Sequence, residues 1–191
     1  MELPKRKSTR LQGYNYSTPG AYFITLCTKD RQRILSEISV GTGIPVGTGD
    51  CLRRLLPAST RLQNALRFAH LDGPQNKLTK YGEIADRQLK IMSDFYDNIK
   101  IDKYVIMPNH IHLLIRIIDT DGQSGTPVPT NSLISQFVST FKRFCNKEYG
   151  KNIWQSRSND HIVRGKYDYE KIWEYIDTNV IRWEKDCFYD S

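Results

Sequence analysis

Cysteine is sparse in this chain: four residues, Cys27, Cys51, Cys145 and Cys187, widely spaced and with no CxxC pair. That scatter argues against a disulfide framework or a cysteine-built zinc site and predicts reduced thiols, with Cys27 a small buried residue in a strand. Long apolar runs are missing as well. No stretch approaches the roughly 18 apolar residues of a membrane span, and "MELPKRKSTR" has no apolar segment behind its charges. Neither signal peptide nor anchor is expected, and the expected location is the cytoplasm. The glycine-rich "VGTGIPVGTG" is followed by no Gly-Lys-Ser/Thr, so a phosphate-loop reading lacks its lysine.

What remains is a basic, globular composition. The 191 residues suffice for one domain with a real core, and the formal charge of +7 favours a polyanionic partner, nucleic acid first. The charge is clustered in "PKRKSTR", "CLRRLLPASTR" and "STFKRFCNKEYGK", the last interleaving aromatics with lysines.

Periodicity outlines an α+β chain. "AYFITLCT", "KIDKYVIM" and "HIHLLIRI" read as strands, the last two separated by Pro108-Asn109. "LTKYGEIADRQLKIMSDF" reads as a helix with Thr79 as N-cap and a stripe of Leu78, Ile84, Leu89, Ile91 and Phe95. "SLISQFVSTFKRFCNKEY" places Leu133, Phe137, Phe141 and Phe144 at helical spacing. "DYEKIWEYIDTNVIRWEK" does the same with Ile172, Ile176, Val180 and Trp183. A short strand is expected between these two helices, and Gly/Pro-rich loop insertions near 38–60 and 119–131. The order suits a ferredoxin-like sandwich within one domain over 1–191, an antiparallel sheet with helices packed on one face.

The chemistry concentrates in "YVIMPNHIHLLIRI". Residues i and i+2 of a strand share a face, so His110 and His112 project together, followed by Leu114 and Arg116. Ile111, Leu113, Ile115 and Ile117 face the other way, into the core. Two imidazoles ~7 Å apart along a strand can converge on one divalent cation, provided another group completes the site. His70, His161 and the polar groups of the last helix are the candidates. Two half-exposed, hydrogen-bonded histidines are the plainer alternative.

"YVIMPNHIHLLI" resembles the signature of the HUH-type single-tyrosine transposases, in particular their REP-associated branch. "RKSTRLQGYNYSTPGAYFITLCT", "FKRFCNKEYGKNIWQSRSNDHIVR" and "YIDTN" resemble further segments of that branch in the same order, over roughly 5–36 and 78–183. The resemblance implies the HUH endonuclease fold and a transposase activity: metal-dependent cleavage and rejoining of single-stranded DNA through a 5′-phosphotyrosine. It implies His110 and His112 as metal ligands, Tyr175 as nucleophile and Asn179 as third ligand, with Mg²⁺ or Mn²⁺ as cofactor. Tyr175 and Asn179, at i and i+4, are neighbours on one helix face. Where many members continue Asn-Pro, this chain has Asn179-Val180, so the helix is expected to run on unbroken past Asn179. His161 is read as structural or DNA-contacting.

Single-stranded or hairpin DNA is therefore the expected partner, with no membrane, and with monomer or homodimer open. Basic clusters with aromatics suit such a substrate. The candidate DNA contacts are Lys5, Arg6, Lys7 and Arg10 in the N-terminal arm, Lys142, Arg143 and Lys147 on the second long helix, and Arg157 and Arg164 flanking the last. Two other readings use the same residues: a non-catalytic single-stranded nucleic-acid-binding module, and a metal-dependent phosphodiesterase in which water attacks.

Overall fold

The computed structural model describes residues 14–39, 74–118 and 132–189. Of the loop expected near 38–60, residues 38 and 39 are strand and the rest lies outside these residues, as do the loop expected at 119–131 and the segment "DCLRRLLPASTRLQNALRF".

The described elements run β1 (Gly20–Cys27), β2 (Ser36–Ser39), β3 (Gln75–Leu78), α1 (Lys80–Phe95), β4 (Ile99–Ile106), β5 (His110–Ile117), α2 (Leu133–Tyr149), β6 (Asn159–Ile162) and α3 (Gly165–Thr178). β1 is central. It pairs along its whole length with β5, from Gly20 opposite Ile117 to Cys27 opposite His110. Its other edge takes the short β6, and β4 closes the far side of β5, so the antiparallel sheet runs β4-β5-β1-β6. β2 and β3 form a separate antiparallel pair that sequence periodicity did not reveal.

Strand parity divides the sheet into two unlike faces. Tyr22, Ile24, Leu26, Ile111, Leu113 and Ile115 point to one, where α1 and α2 supply Ala85, Leu89, Met92, Ile134, Phe137 and Phe141 to the main core. The opposite face carries His110, His112 and Leu114. Only a small apolar patch forms there: Leu114 against Ile172 and Ile176 of α3, with Phe23, Val105 and Val163 around it. Two long helices thus cover one face as expected, while the third crosses the other. Three buried aliphatic side chains contribute about 5–9 kcal/mol towards seating α3, at ~1.5–3 kcal/mol each.

Thr79 caps α1 as expected, its hydroxyl accepting from Gly82 N–H. The buried stripe of α1 differs from the expected one. Ile84 and Leu89 are buried as expected, but Ile91 and Phe95 are 49% and 75% exposed, and Ala85, Gln88 and Met92 face inward in their place. Gln88 is tolerated there because its amide donates to Glu148 of α2. On α2, Phe144 is likewise exposed, and Cys145, one position on, takes the core site.

α1 packs closely against the chain before β2. A Cβ added at Gly82 would stand 2.0 Å from the Leu35 carbonyl oxygen, which accepts from both the Thr79 N–H and its hydroxyl. Gly82→Ala therefore loses more to this clash than it gains from helix propensity. We expect about 2–3 kcal/mol of destabilisation in denaturant unfolding, where an open helix position would gain up to ~1 kcal/mol.

Candidate active site and metal centre

Asn109, in the tight turn between β4 and β5, is 1% exposed and organises the site. Its amide nitrogen donates to the Phe188 carbonyl at 2.7 Å, which leaves Oδ1 to accept from His110 Nδ1–H at 2.8 Å. His110 Nε2 is then a bare lone pair, 3.0 Å from His112 Nε2. Both rings are buried, at 0% and 1% exposure. Burial, with the Arg31 charge adding to it, pushes His110 down to about 3. Burial and His110 hold His112 well below the usual histidine range, with Asp186 acting the other way. Both imidazoles are neutral at physiological pH, the form that binds metals.

His112 Nδ1 lies 2.9 Å from the hydroxyl of Thr25, its cross-strand partner on β1. A hydroxyl can donate or accept. When Thr25 donates, His112 carries its proton on Nε2 and donates to His110. When Thr25 accepts, the proton sits on Nδ1 and both Nε2 lone pairs face one point. The pair can therefore become a bidentate donor set without moving a heavy atom. We expect Thr25→Val, close in shape but lacking the hydroxyl, to weaken Mn²⁺ binding about 10–100-fold by titration calorimetry.

α3 brings Tyr175 to the pair. Its hydroxyl lies 3.2 Å from His112 Nε2 and donates to Asp186 Oδ2 at 3.2 Å. Phe23 packs edge-on against the Tyr175 ring and stacks on His112. Burial first, then the charge and hydrogen bond of Asp186, raise the Tyr175 phenol above its ordinary 10.0, opposed by Asn179. The resting side chain is a neutral O–H.

Asn179 is the C-terminal cap of α3. Contrary to the expected unbroken helix, α3 stops at Thr178 without a proline, and Arg182 N–H then bonds the carbonyls of both Thr178 and Asn179. The stop follows from side-chain anchoring: Trp183 is buried, and Asn179 Nδ2 donates to Asp186 Oδ2 at 3.1 Å. Val180, expected in the helical stripe, falls in this turn.

Asp186 was not singled out in the sequence. It lies beyond the last periodic element, in a segment that only the fold returns to β5. Its carboxylate and the two histidines offer donor atoms all within 4.8 Å of one another. Asn179 is 2% exposed, and its Oδ1 is buried without a hydrogen-bond partner. An orphaned carbonyl oxygen, two facing imidazole nitrogens and one carboxylate suit a hard or borderline divalent cation such as Mg²⁺ or Mn²⁺. The neutral groups lack charge, so Asp186 is the anionic member of the set.

Tyr175, Asn179 and Asp186 open onto a groove of about 650 Å³ whose wall also holds Arg182, Lys185 and Cys187. Neither cation stood among the expected DNA contacts. Of those contacts, Lys5, Arg6, Lys7 and Arg10 lie outside the described residues, as do His70 and Cys51. Lys142 is half-buried and donates to the carbonyls of Gln155, Ser156 and Arg157, so it braces the chain before β6. Arg143, Lys147 and Arg157 are exposed. Arg164 precedes α3, its main-chain N–H donating to Asp168 at 2.8 Å. His161 bonds the same carboxylate at 2.9 Å, a structural contact away from the histidine pair. Cys27, Cys145 and Cys187 are free thiols.

No family model matches the sequence. An uncharacterised protein of Haemophilus influenzae is 30% identical over 200 residues, covering 96% of this chain and 93% of its own length. The solved structure of a REP-associated tyrosine transposase bound to a REP hairpin has a similar fold. It aligns at a TM-score of 0.50 and 16% identity, over 96% of this chain and 74% of that one. Among the described residues no helix is long and apolar enough to cross a membrane.

Proposed function

The chain belongs to the family of the Haemophilus influenzae protein, and from its fold and its histidine–tyrosine site we propose that it is a transposase-type, metal-dependent endonuclease and strand transferase of single-stranded DNA. The carrying observation is the position of Tyr175. One chain supplies a phenolic oxygen 3.2 Å from a buried imidazole, hydrogen-bonded to a carboxylate, and open to a groove walled by Arg182 and Lys185.

The residues divide the work of phosphoryl transfer. Arg182 and Lys185 draw the DNA backbone into the groove by charge. Phe23 and the α3 seat fix the direction of the phenol, so the attacking oxygen is positioned before substrate arrives. Tyr175 passes its proton to Asp186 Oδ2, already its hydrogen-bond acceptor, and its oxygen bonds to phosphorus. The P–O3′ bond breaks with its electron pair on the 3′-oxygen, which takes up a proton. One phosphodiester becomes a phosphotyrosine ester and a free 3′-hydroxyl. Attack by a 3′-hydroxyl on the same phosphorus reverses the step and joins strands without ATP. His110, His112, Asp186 and Asn179 are the residues to hold the divalent cation, which supplies Lewis-acid polarisation of a phosphoryl oxygen.

The structural neighbour was solved with a REP hairpin, which makes hairpin-bearing single-stranded DNA the first substrate to test. Incubation with Mn²⁺ and labelled hairpin strands is expected to give a denaturation-resistant protein–DNA adduct that mass spectrometry maps to Tyr175. Cleavage to a free 5′-phosphate with no adduct would instead identify a phosphodiesterase using water. Tight binding without cleavage would identify a non-catalytic binding module.

A further inference from the structure

The turn that follows β1 carries a backbone outlier. Asp30 and Arg31 are consecutive and both have positive φ, 53° and 51°. They are the central pair of a tight turn that Gln32 N–H closes on the Lys29 carbonyl at 3.3 Å. Such a turn takes Asn-Gly or Asp-Gly by preference, because glycine alone meets no Cβ clash there. Asp30 conforms. Arg31 occupies the glycine position, with a strain that glycine would not bear.

The surroundings hold this conformation in place. Thr28, at 0% exposure, shares its hydroxyl between the carbonyls of Gln32 and Asn109, at 2.8 and 3.0 Å. Its main-chain N–H donates to the same Asn109 carbonyl at 2.9 Å, and Lys29 N–H donates to the Ile153 carbonyl at 2.6 Å. The turn is therefore bound to the residue that orients His110.

The strained position brings a charge to the edge of the site. The half-buried Arg31 places its guanidinium 5.1 Å from the centre of the Phe188 ring, and that ring packs against His110 at 4.6 Å. Phe188 N–H donates in turn to Asp186 at 2.8 Å. Cys187, on the groove wall, feels the same charge. A fixed cation this close opposes a divalent cation on His110, His112 and Asp186. Its placement favours the site only when an anion joins it.

We propose that Arg31 binds a phosphate of the substrate strand, the neighbour of the scissile one, and opposes the metal until that phosphate arrives. The guanidinium lies against Phe188 and not against the imidazoles, so the phosphate it meets is not the one that the metal polarises. With the phosphate in place the positive charge is neutralised, and its repulsion of the cation falls. Arginine suits the role because its planar fork gives a phosphate two parallel hydrogen bonds. Arg182 and Lys185 reach the groove from the segment after α3, and Arg31 adds a cation from the turn after β1. The inference rests on the DNA reading above but concerns binding alone, so its test is separable from catalysis.

The test pairs two titrations of Arg31→Gln, each free of cleavage. Calorimetry with Mn²⁺ and no DNA is expected to show the variant binding the metal about threefold to tenfold more tightly than wild type, since one repelling charge is gone. Fluorescence anisotropy in EDTA uses a labelled single strand of about 30 nucleotides. There the variant is expected to bind about tenfold more weakly, with the slope of log K against log salt reduced by about 0.7. An abasic strand of equal length should lose affinity equally, because a phosphate contact ignores the base. Arg31→Lys keeps the charge and is expected to retain the wild-type slope. Opposite signs are the signature. An arginine that merely braces Phe188 would weaken metal and DNA binding together, and that result overturns the proposal. So does strand binding at wild-type strength with an unchanged salt slope. In either case adduct formation at Tyr175 would leave the DNA reading intact, whereas a wild type that binds no strand removes both.

Discussion

Tyr175→Phe protein is expected to form no covalent adduct with hairpin-bearing single-stranded DNA in Mn²⁺, while binding the same strand within about twofold of wild type. The substitution removes one oxygen and keeps the ring. The edge-on contact with Phe23 and the seat of α3 on Leu114 survive. The loss is therefore of the nucleophile and not of the fold, and the covalent step should fall by at least about a thousandfold, to the limit of detection. The hydrogen bond from the hydroxyl to Asp186 is lost with it. Asp186→Asn offers the matching control: it keeps the phenol and the shape of the acceptor, removes the proton acceptor's charge, and should slow adduct formation without abolishing DNA binding. Strand cleavage that persists in Tyr175→Phe at the wild-type rate would show that water, and not the phenol, attacks.

The second large effect is acid lability of the metal-free protein. His110 is neutral when folded, its imidazole pushed down to about 3 chiefly by burial, against 6.5 when unfolded. Below pH 6.5 the unfolded chain takes up a proton that the folded one refuses, so stability falls as pH falls. The contribution of His110 is complete above 6.5 and is lost progressively down to about 3. At about pH 4.5 the loss amounts to roughly 2–3 kcal/mol, and His112, shifted the same way, adds to it. Urea unfolding in EDTA between pH 7 and pH 4.5 should show a matching fall in midpoint. A His110→Gln, His112→Gln double variant should show a much flatter profile. An unchanged pH dependence in that variant would place the acid-sensitive groups elsewhere.

Much of the site was legible because strand geometry is local. Period-two alternation in "HIHLLIRI" alone puts His110 and His112 on one face and the isoleucines on the other, and β5 shows that division. Helical spacing likewise makes Tyr175 and Asn179 neighbours. The phase of a helix is less local. Ile91 and Phe95 looked like core residues, yet α1 turns Gln88 and Met92 inward because Glu148 of α2 satisfies the Gln88 amide, a partner sixty residues away. Lys142 read as a phosphate contact from its charge, while its ammonium is engaged by three carbonyls that come close only when α2 lies beside the chain before β6.

The sequence by itself determined the α+β order, the shared face of the two histidines and the helix that presents Tyr175, since each follows from backbone periodicity. Only the tertiary structure decided what those groups meet. Asp186 lies 74 positions beyond His112 with no periodicity to announce it, and reaches the pair because α3 ends at Asn179 and Trp183 buries the turn that follows. Asn109 looked like a turn former and proved to hold both a histidine tautomer and the C-terminal segment. Hydrogen-bond partners and charge neighbours are set by which surfaces pack together, and that is a property of the whole chain.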